Sequence, residues 1–187
     1  MPLGQEPPQL LKQRLFYEGR KFNFEVNRLR LPNQAEGDWE CIRHPGGALA
    51  VPITADGNLI MVRQYRFAVM GRLLEFPAGT IEANESPAAT IRREIQEEIG
   101  YSAQTWLPIG SFSLAPGYSD EIIHAFLATD LDPIEVPPDA DADEDIEVVL
   151  LPPAQLEKTI LSGEAVDAKT IASFYLAKPY LAKLAAL

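Results

Sequence analysis

Three glutamates carry the first chemical signal in this chain. Glu94, Glu97 and Glu98 stand in the run Arg93-Glu94-Ile95-Gln96-Glu97-Glu98, at i, i+3 and i+4, which is one side of an α-helix. Like charges at that spacing destabilise an isolated helix by about 0.2–0.5 kcal/mol per pair. Three acids gathered there call for a compensating cation. Hard carboxylate oxygens suit Mg2+ or Mn2+, and Mg2+ is commonly held by one or two carboxylates together with substrate phosphates. The competing reading is a solvated acidic face, the usual meaning of a charge run.

The segment that carries these acids has clear helix punctuation. Ser86 is a natural N-cap, Pro87 sits in the first turn where proline is tolerated, and Gly100 is a C-terminal stop. Ala88, Ile91, Ile95 and Ile99 form an apolar stripe, so the spacing predicts a helix over 87–99. Before it, residues 73–76 form a short strand that ends at Pro77-Ala78-Gly79. Two apolar runs, 48–54 and 59–67, flank Ala55-Asp56-Gly57-Asn58 and predict a hairpin. Residues 22–31 alternate as a strand with one irregularity, long for a free-standing edge. Residues 106–114, 122–128 and 146–151 also predict strands. Residues 153–161 and 168–184 predict helices, the second interrupted near Pro179. Hairpins outnumber βαβ units, which gives an α+β, or mixed α/β, class.

Composition narrows the function. The 187 residues fit one domain with a small N-terminal appendage, and 47% hydrophobic with 23% charged residues is ordinary globular makeup. The net charge of −11, from 27 acidic against 16 basic residues, repels a polyphosphate backbone and argues against nucleic-acid binding. An anionic small substrate would need a local reversal of sign, which bound divalent cations supply. Cys41 is the lone cysteine, so no intrachain disulfide or thiolate zinc cluster is available, and a reducing, cytoplasmic setting is expected. The first fourteen residues lack the apolar core of a signal peptide, and no apolar run reaches membrane-spanning length.

Gly79, Glu85, Arg93-Glu94-Ile95, Glu97-Glu98 and Gly100-Tyr101 together resemble the Nudix signature G-x5-E-x7-R-E-U-x-E-E-x-G-U, with U a bulky apolar residue, at every position. At ~6% usage per fixed residue type, a chance match at one start point is on the order of 10⁻⁹, which overturns the solvated-face reading. The resemblance implies an α/β/α sandwich with a mixed sheet plus N-terminal antiparallel strands, divided into strands over 1–45 and a Nudix hydrolase domain over 46–187. It implies that Glu94 and Glu98 are principal metal ligands, with Glu97 a further ligand or a water-positioning group. The carbonyl of Ala78 would be another ligand. The cofactor would be Mg2+, or Mn2+, with more than one ion per site, lowering the pKa of a bound water for attack on a diphosphate. Glu85 and Arg93, with Gly79 and Gly100, would be structural members, Glu85 and Arg93 forming a salt bridge.

The likeness extends beyond the signature. Leu74-Glu75-Phe76-Pro77-Ala78-Gly79, Ala115-Pro116-Gly117-Tyr118-Ser119-Asp120-Glu121 and Val166-Asp167-Ala168-Lys169-Thr170 resemble the ADP-ribose pyrophosphatase branch, in which a proline such as Pro116 follows the Gly100 position by sixteen residues. The implied activity is Mg2+-dependent hydrolysis of ADP-ribose to AMP and ribose 5-phosphate by a homodimer that exchanges N-terminal strands. The alternatives are another substrate (ADP-glucose, GDP-mannose or FAD) and a non-catalytic ADP-ribose sensor, although sensors characteristically lack box glutamates and this chain retains them all.

Outside the box several assignments stay open. Arg63 and Arg66 are candidate diphosphate clamps or surface ion pairs. Glu75 would pair with one of them or bind ribose. Glu121 is a candidate for ribose hydroxyls or an exposed acid. In the acidic segment 133–145, Asp139, Asp141 and Asp143 alternate as in a calcium loop, but Glu144 stands where glycine is required and Leu150 where a bidentate glutamate is. The resemblance points instead to Glu144 as catalytic base, with Glu147 second. Tyr17, Phe22, Phe24 and Trp39 offer rings for adenine or for a core, and His44 and His124 have no assigned role.

Overall fold

The computed structural model describes residues 6–136, 145–164 and 166–184. Glu144 lies outside the described residues. The chain groups into two compact units, Met1–Pro45 with Ser113–Glu121, and Gly46–Phe112 with Ile122–Leu187.

The first unit is an antiparallel meander of β1 (Gln9–Glu18), β2 (Asn23–Arg30) and β3 (Glu36–Arg43). The expected strand over 22–31 is therefore the middle strand, not an edge. β1 is an outer strand of this sheet, and its residues carry no periodic signal. Two register irregularities, between Leu10 and Lys12 and between Gln13 and Leu15, break its alternation and so hide the period of two that marks a strand. Every residue of β1 is exposed, including Leu15, Phe16 and Tyr17. The segment 113–121 joins this unit through Ile42, whose N–H donates to the Tyr118 carbonyl at 2.8 Å and whose carbonyl accepts from Asp120 N–H at 3.2 Å.

The second unit holds two sheets. One has the order β10 (Ile146–Leu151), β5 (Leu59–Arg66), β6 (Gly71–Glu75), all antiparallel. The other has the order β7 (Ala78–Thr80), β4 (Gly47–Pro52), β9 (Ile122–Pro133), β8 (Tyr101–Ser113), with β4 parallel to β9 and antiparallel to β7. The sheet is thus mixed. Every residue of β4 is buried, the continuous apolar pattern of a strand covered on both faces. The Asp56-Gly57 turn is present, with Gly57 at φ 78° and Thr54 N–H donating to the Asn58 carbonyl at 2.8 Å. The expected hairpin is not: after one bridge between Ile53 and Leu59, β4 and β5 part into different sheets. Both strands are buried runs, so either can find partners elsewhere, and burial outweighs the local turn signal.

Among the described residues three α-helices complete the unit: α1 (Pro87–Ile99), α2 (Pro153–Ser162) and α3 (Ala168–Leu184). Helix α1 lays Ile91, Ile95 and Ile99 against Ala48, Ala50, Ile60, Val62 and Ala128. Leu49 and Val51 alternate to the opposite face of β4 and are fully buried. Helix α3 packs on β4, β6 and β9 with Phe174, Ala177 and Leu181 buried. This is the α/β/α sandwich. Contrary to the expected interruption, α3 runs through Pro179. Ala177 and Leu181, buried on either side of it, hold the helix where propensity alone would break it. Among the described residues no helix is long and apolar enough to cross a membrane.

Complete burial of an isoleucine contributes about 1.5–3 kcal/mol, so the α1 stripe fixes the rotation of the helix and the direction of its acids. Ile95→Ala, at a position with no exposure, should cost about 2–5 kcal/mol. Urea denaturation would check this; a cost below about 1 kcal/mol would show that the stripe does not seat the helix.

Candidate functional site

Helix α1 begins and ends as its sequence predicts. Ser86 Oγ accepts from Ala89 N–H at 3.2 Å. Gly100 takes φ 71°, a left-handed conformation that glycine adopts without strain, and its N–H donates to the Gln96 carbonyl at 3.2 Å. On the side beside the isoleucine stripe, Glu94 and Glu98 are buried. Glu97 is partly exposed.

The loop from β6 to β7 meets these acids directly. Ala78 N–H donates to Glu98 Oε2 at 3.0 Å. In the β4–β7 ladder, Ala50 N–H donates to the Pro77 carbonyl and Ile81 N–H to the Gly46 carbonyl, each at 3.0 Å. Hydrogen-bonded pairs alternate along an antiparallel ladder, so the Ala78–Leu49 pair between them is the kind that does not exchange bonds. Both backbone polar groups of Ala78 therefore point away from β4, toward the side on which Glu98 lies. Gly79 is required for a different reason. A Cβ there would lie 1.8 Å from Glu94 Oε1 and 2.5 Å from its Cγ. The Glu94 side chain occupies the space that any other residue at 79 would fill.

Arg93 organises the remaining charge. Its Nε and Nη2 each donate to Glu85 at 3.2 Å, and Thr90 Oγ1 adds a bond to Glu85 Oε2 at 2.8 Å. Its Nη1 lies 2.9 Å from both Glu94 Oε1 and Glu97 Oε2. Glu82 is 3.8 Å away. One guanidinium thus faces four carboxylates. The hydrogen bonds from Arg93 and Thr90 pull the Glu85 carboxyl down to about 2. The same contacts push the Arg93 guanidinium further up.

This donor set fits a hard divalent cation. Two buried carboxylates are oxygen donors, the Ala78 carbonyl, turned away from β4, would be a third, and one arginine leaves the cluster strongly negative. Among the described residues no three acidic or histidine side chains converge as a ready-made cage. Mg2+ does not demand one, because it keeps several waters and takes further oxygens from phosphates.

A second constellation lies at the end of β6. Glu75 is 1% exposed, and Arg66 grips it side-on, Nε to Oε1 at 2.8 Å and Nη2 to Oε2 at 2.7 Å. Lys169 Nζ also donates to Glu75 Oε2 and to Asp167 Oδ2. Burial alone would raise the Glu75 carboxyl, but the Arg66 bonds and the Lys169 charge outweigh it and hold it below the ordinary value. Of the two roles open for Glu75, the structure supplies the pairing with Arg66. Both its oxygens are occupied and its surface is covered, so it does not present itself to a ribose. Arg63 instead meets Glu147 across the β5–β10 pair at 3.4 Å, both side chains being exposed, a contact of little energetic weight.

Pro116 and Glu121 belong to the first unit. Pro116 lies in the turn closed by Ser119 N–H donating to the Ala115 carbonyl at 2.9 Å. Glu121 Oε1 is 3.7 Å from His44 Nδ1. Lys169 and Asp167 received no role from sequence. A signal was there: a lysine in the first turn of a helix opposes the helix dipole and so asks for an acidic partner.

A family profile described as the NUDIX domain matches residues 43–174. The chain is 36% identical over 165 residues to an ADP-ribose pyrophosphatase of Bacillus subtilis, covering 88% of this chain and 89% of that protein. It is 33% identical over 161 residues to a methanol dehydrogenase activator of Bacillus methanolicus, covering 86% and 87%. A solved structure described as an ADP compounds hydrolase shares the fold at a TM-score of 0.81 and 24% identity, covering 94% of this chain and 95% of that one.

The carboxyl lowered at Glu85 sets a pH test. A depressed folded value means stability that is present above the ordinary 4.5 and is lost as pH falls toward about 2. Glu85→Gln should therefore cost about 1 kcal/mol at pH 7, the upper end for partly exposed ion pairs. The gap to wild type should narrow between pH 4.5 and about 2. Urea midpoints at pH 7 and pH 3 would measure it, and a gap independent of pH would refute the assignment.

Proposed function

The chain belongs to the Nudix hydrolase family and is a pyrophosphohydrolase, and from that premise we propose that it splits the diphosphate of ADP-ribose with water, giving AMP and ribose 5-phosphate. The observation that carries this reading is the seating of Glu94 and Glu98 against Ala78 and Gly79, in a chain that matches an ADP-ribose pyrophosphatase along most of its length.

Glu94, Glu98 and the Ala78 carbonyl would hold Mg2+, with Mn2+ as a substitute and Glu97 as a further ligand or an acceptor that orients the attacking water. Bound metal supplies neutralisation of the diphosphate charge and a lowered pKa for water. The protein residues bind and orient. Arg66, fixed to Glu75 along one edge, offers the remaining N–H groups to a diphosphate oxygen. Arg63, exposed and only loosely held by Glu147, is a second candidate. Glu144 would accept the proton of the attacking water, with Glu147 as the alternative. Pro116 and Glu121 are the remaining substrate-binding candidates that the resemblance implies, Glu121 for ribose hydroxyls. We further infer a homodimer that covers the exposed apolar side chains of β1, a division into an N-terminal module over 1–45 and a catalytic domain over 46–187, and a reducing, cytoplasmic location consistent with the single Cys41.

Purified protein should be assayed with Mg2+ against ADP-ribose, ADP-glucose, GDP-mannose, NADH and FAD, with products identified. ADP-ribose should give the highest kcat/KM; a preference for another substrate would replace it, and no turnover of any would favour a sensor. Glu98→Gln should lower kcat on the order of 100-fold or more while leaving the thermal midpoint equal or higher, because one charge leaves a crowded face. Retention within a few-fold would remove Glu98 from the ligand set. Glu144→Gln should lower kcat more than it raises KM, and an unchanged kcat would shift the base to Glu147.

A further inference from the structure

We propose that Lys169, in the first turn of α3, is a positioning residue for the Arg66 guanidinium, holding it so that one edge stays open for an anionic diphosphate. The proposal rests on the reading of Arg66 as a diphosphate-binding residue.

Four charged side chains meet here, Arg66, Glu75, Asp167 and Lys169. Glu75 is almost wholly enclosed and Lys169 is 9% exposed, whereas the Arg66 side chain is 41% exposed. An ammonium withdrawn from water and set against a helix dipole is costly unless paired, and here it is paired twice. The side-on grip on Glu75 uses Nε–H and one Nη2 hydrogen of Arg66. Both Nη1 hydrogens and the second Nη2 hydrogen are left, and among the described residues none has a protein acceptor. That edge is the fork that matches phosphate oxygens.

Lys169 guards this orientation by engaging both acids. It takes Asp167 Oδ2, whose charge already acts on Arg66. Asp167 is itself fixed, since its Oδ1 accepts from Thr170 N–H at 2.9 Å and caps α3. Without the ammonium, Asp167 and Glu75 would share a single guanidinium, and Arg66 would turn its open edge toward Asp167. The anchor also reaches the catalytic loop, because Phe76 N–H, next to Glu75, donates to Thr170 Oγ1 at 3.0 Å. Lys169 touches no reacting atom in this scheme; it acts through Arg66.

The test is steady-state hydrolysis of ADP-ribose with Mg2+ by Arg66→Ala, Lys169→Met, the two combined, and Lys169→Met with Asp167→Asn. Arg66→Ala should raise KM about tenfold, as loss of a charge-assisted contact does. Lys169→Met should raise KM about fivefold with kcat within twofold, and should add nothing in the Arg66→Ala background. Asp167→Asn removes the competing acid, keeps a capping residue, and should return KM of the lysine variant to within twofold of wild type. A normal KM in Lys169→Met, an equal rise in the Arg66→Ala background, or no rescue by Asp167→Asn would each overturn the proposal. An unchanged KM in Arg66→Ala would instead remove the reading of Arg66 on which it stands. Lys169→Gln, which keeps an amide donor, carries the same comparison if the methionine variant does not fold.

Discussion

Glu94 lies against a residue that has no side chain, while its carboxylate shares the Arg93 Nη1 group with Glu97 at 2.9 Å. Everything else in the catalytic half serves that crowding. Four acids around one guanidinium repel one another, and an isolated helix would relieve the strain by fraying or rotating. Helix α1 can do neither. Its isoleucines are locked into the sheet, its ends are capped by Ser86 and Gly100, and Glu98 is held from the loop side by the Ala78 amide. The fold thus maintains a negative cluster that the local sequence disfavours.

The two charge clusters are built differently. Around Arg93 the acids outnumber the base, and the cluster keeps a negative surplus. Around Glu75 the charges balance, two cations to two carboxylates, and the result is rigidity. Glu98 and Arg66 link the two, since the charge of Glu98 acts on the guanidinium.

Much of this was legible in the residues because it is local. The caps, stripe and acid spacing of α1 lie within fifteen consecutive positions, and the helix has the bounds they predict. What was not legible depends on distant partners. The turn at Asp56-Gly57 is real, yet β4 and β5 pair with other strands, because a fully apolar run carries no information on which neighbour it joins. Pro179 marks a break that packing overrides. Strand β1 is hidden by its own irregular register. Lys169 reads as a surface residue until α3 is brought to the end of β6, some ninety positions earlier in the chain.

The parallel pairing of β4 with β9 sets Gly47 opposite Ile123 and Pro52 opposite Ala128. Closing so long a stretch of chain is entropically slow and is not repaid until both strands are present. The glutamate helix lies inside that closure. During synthesis it therefore leaves the ribosome well before the sheet it packs on is complete, and its acids acquire their fixed arrangement only after β9 docks. The acidic cluster would then form late and cooperatively, which spares the nascent chain an early, half-formed crowding of like charges.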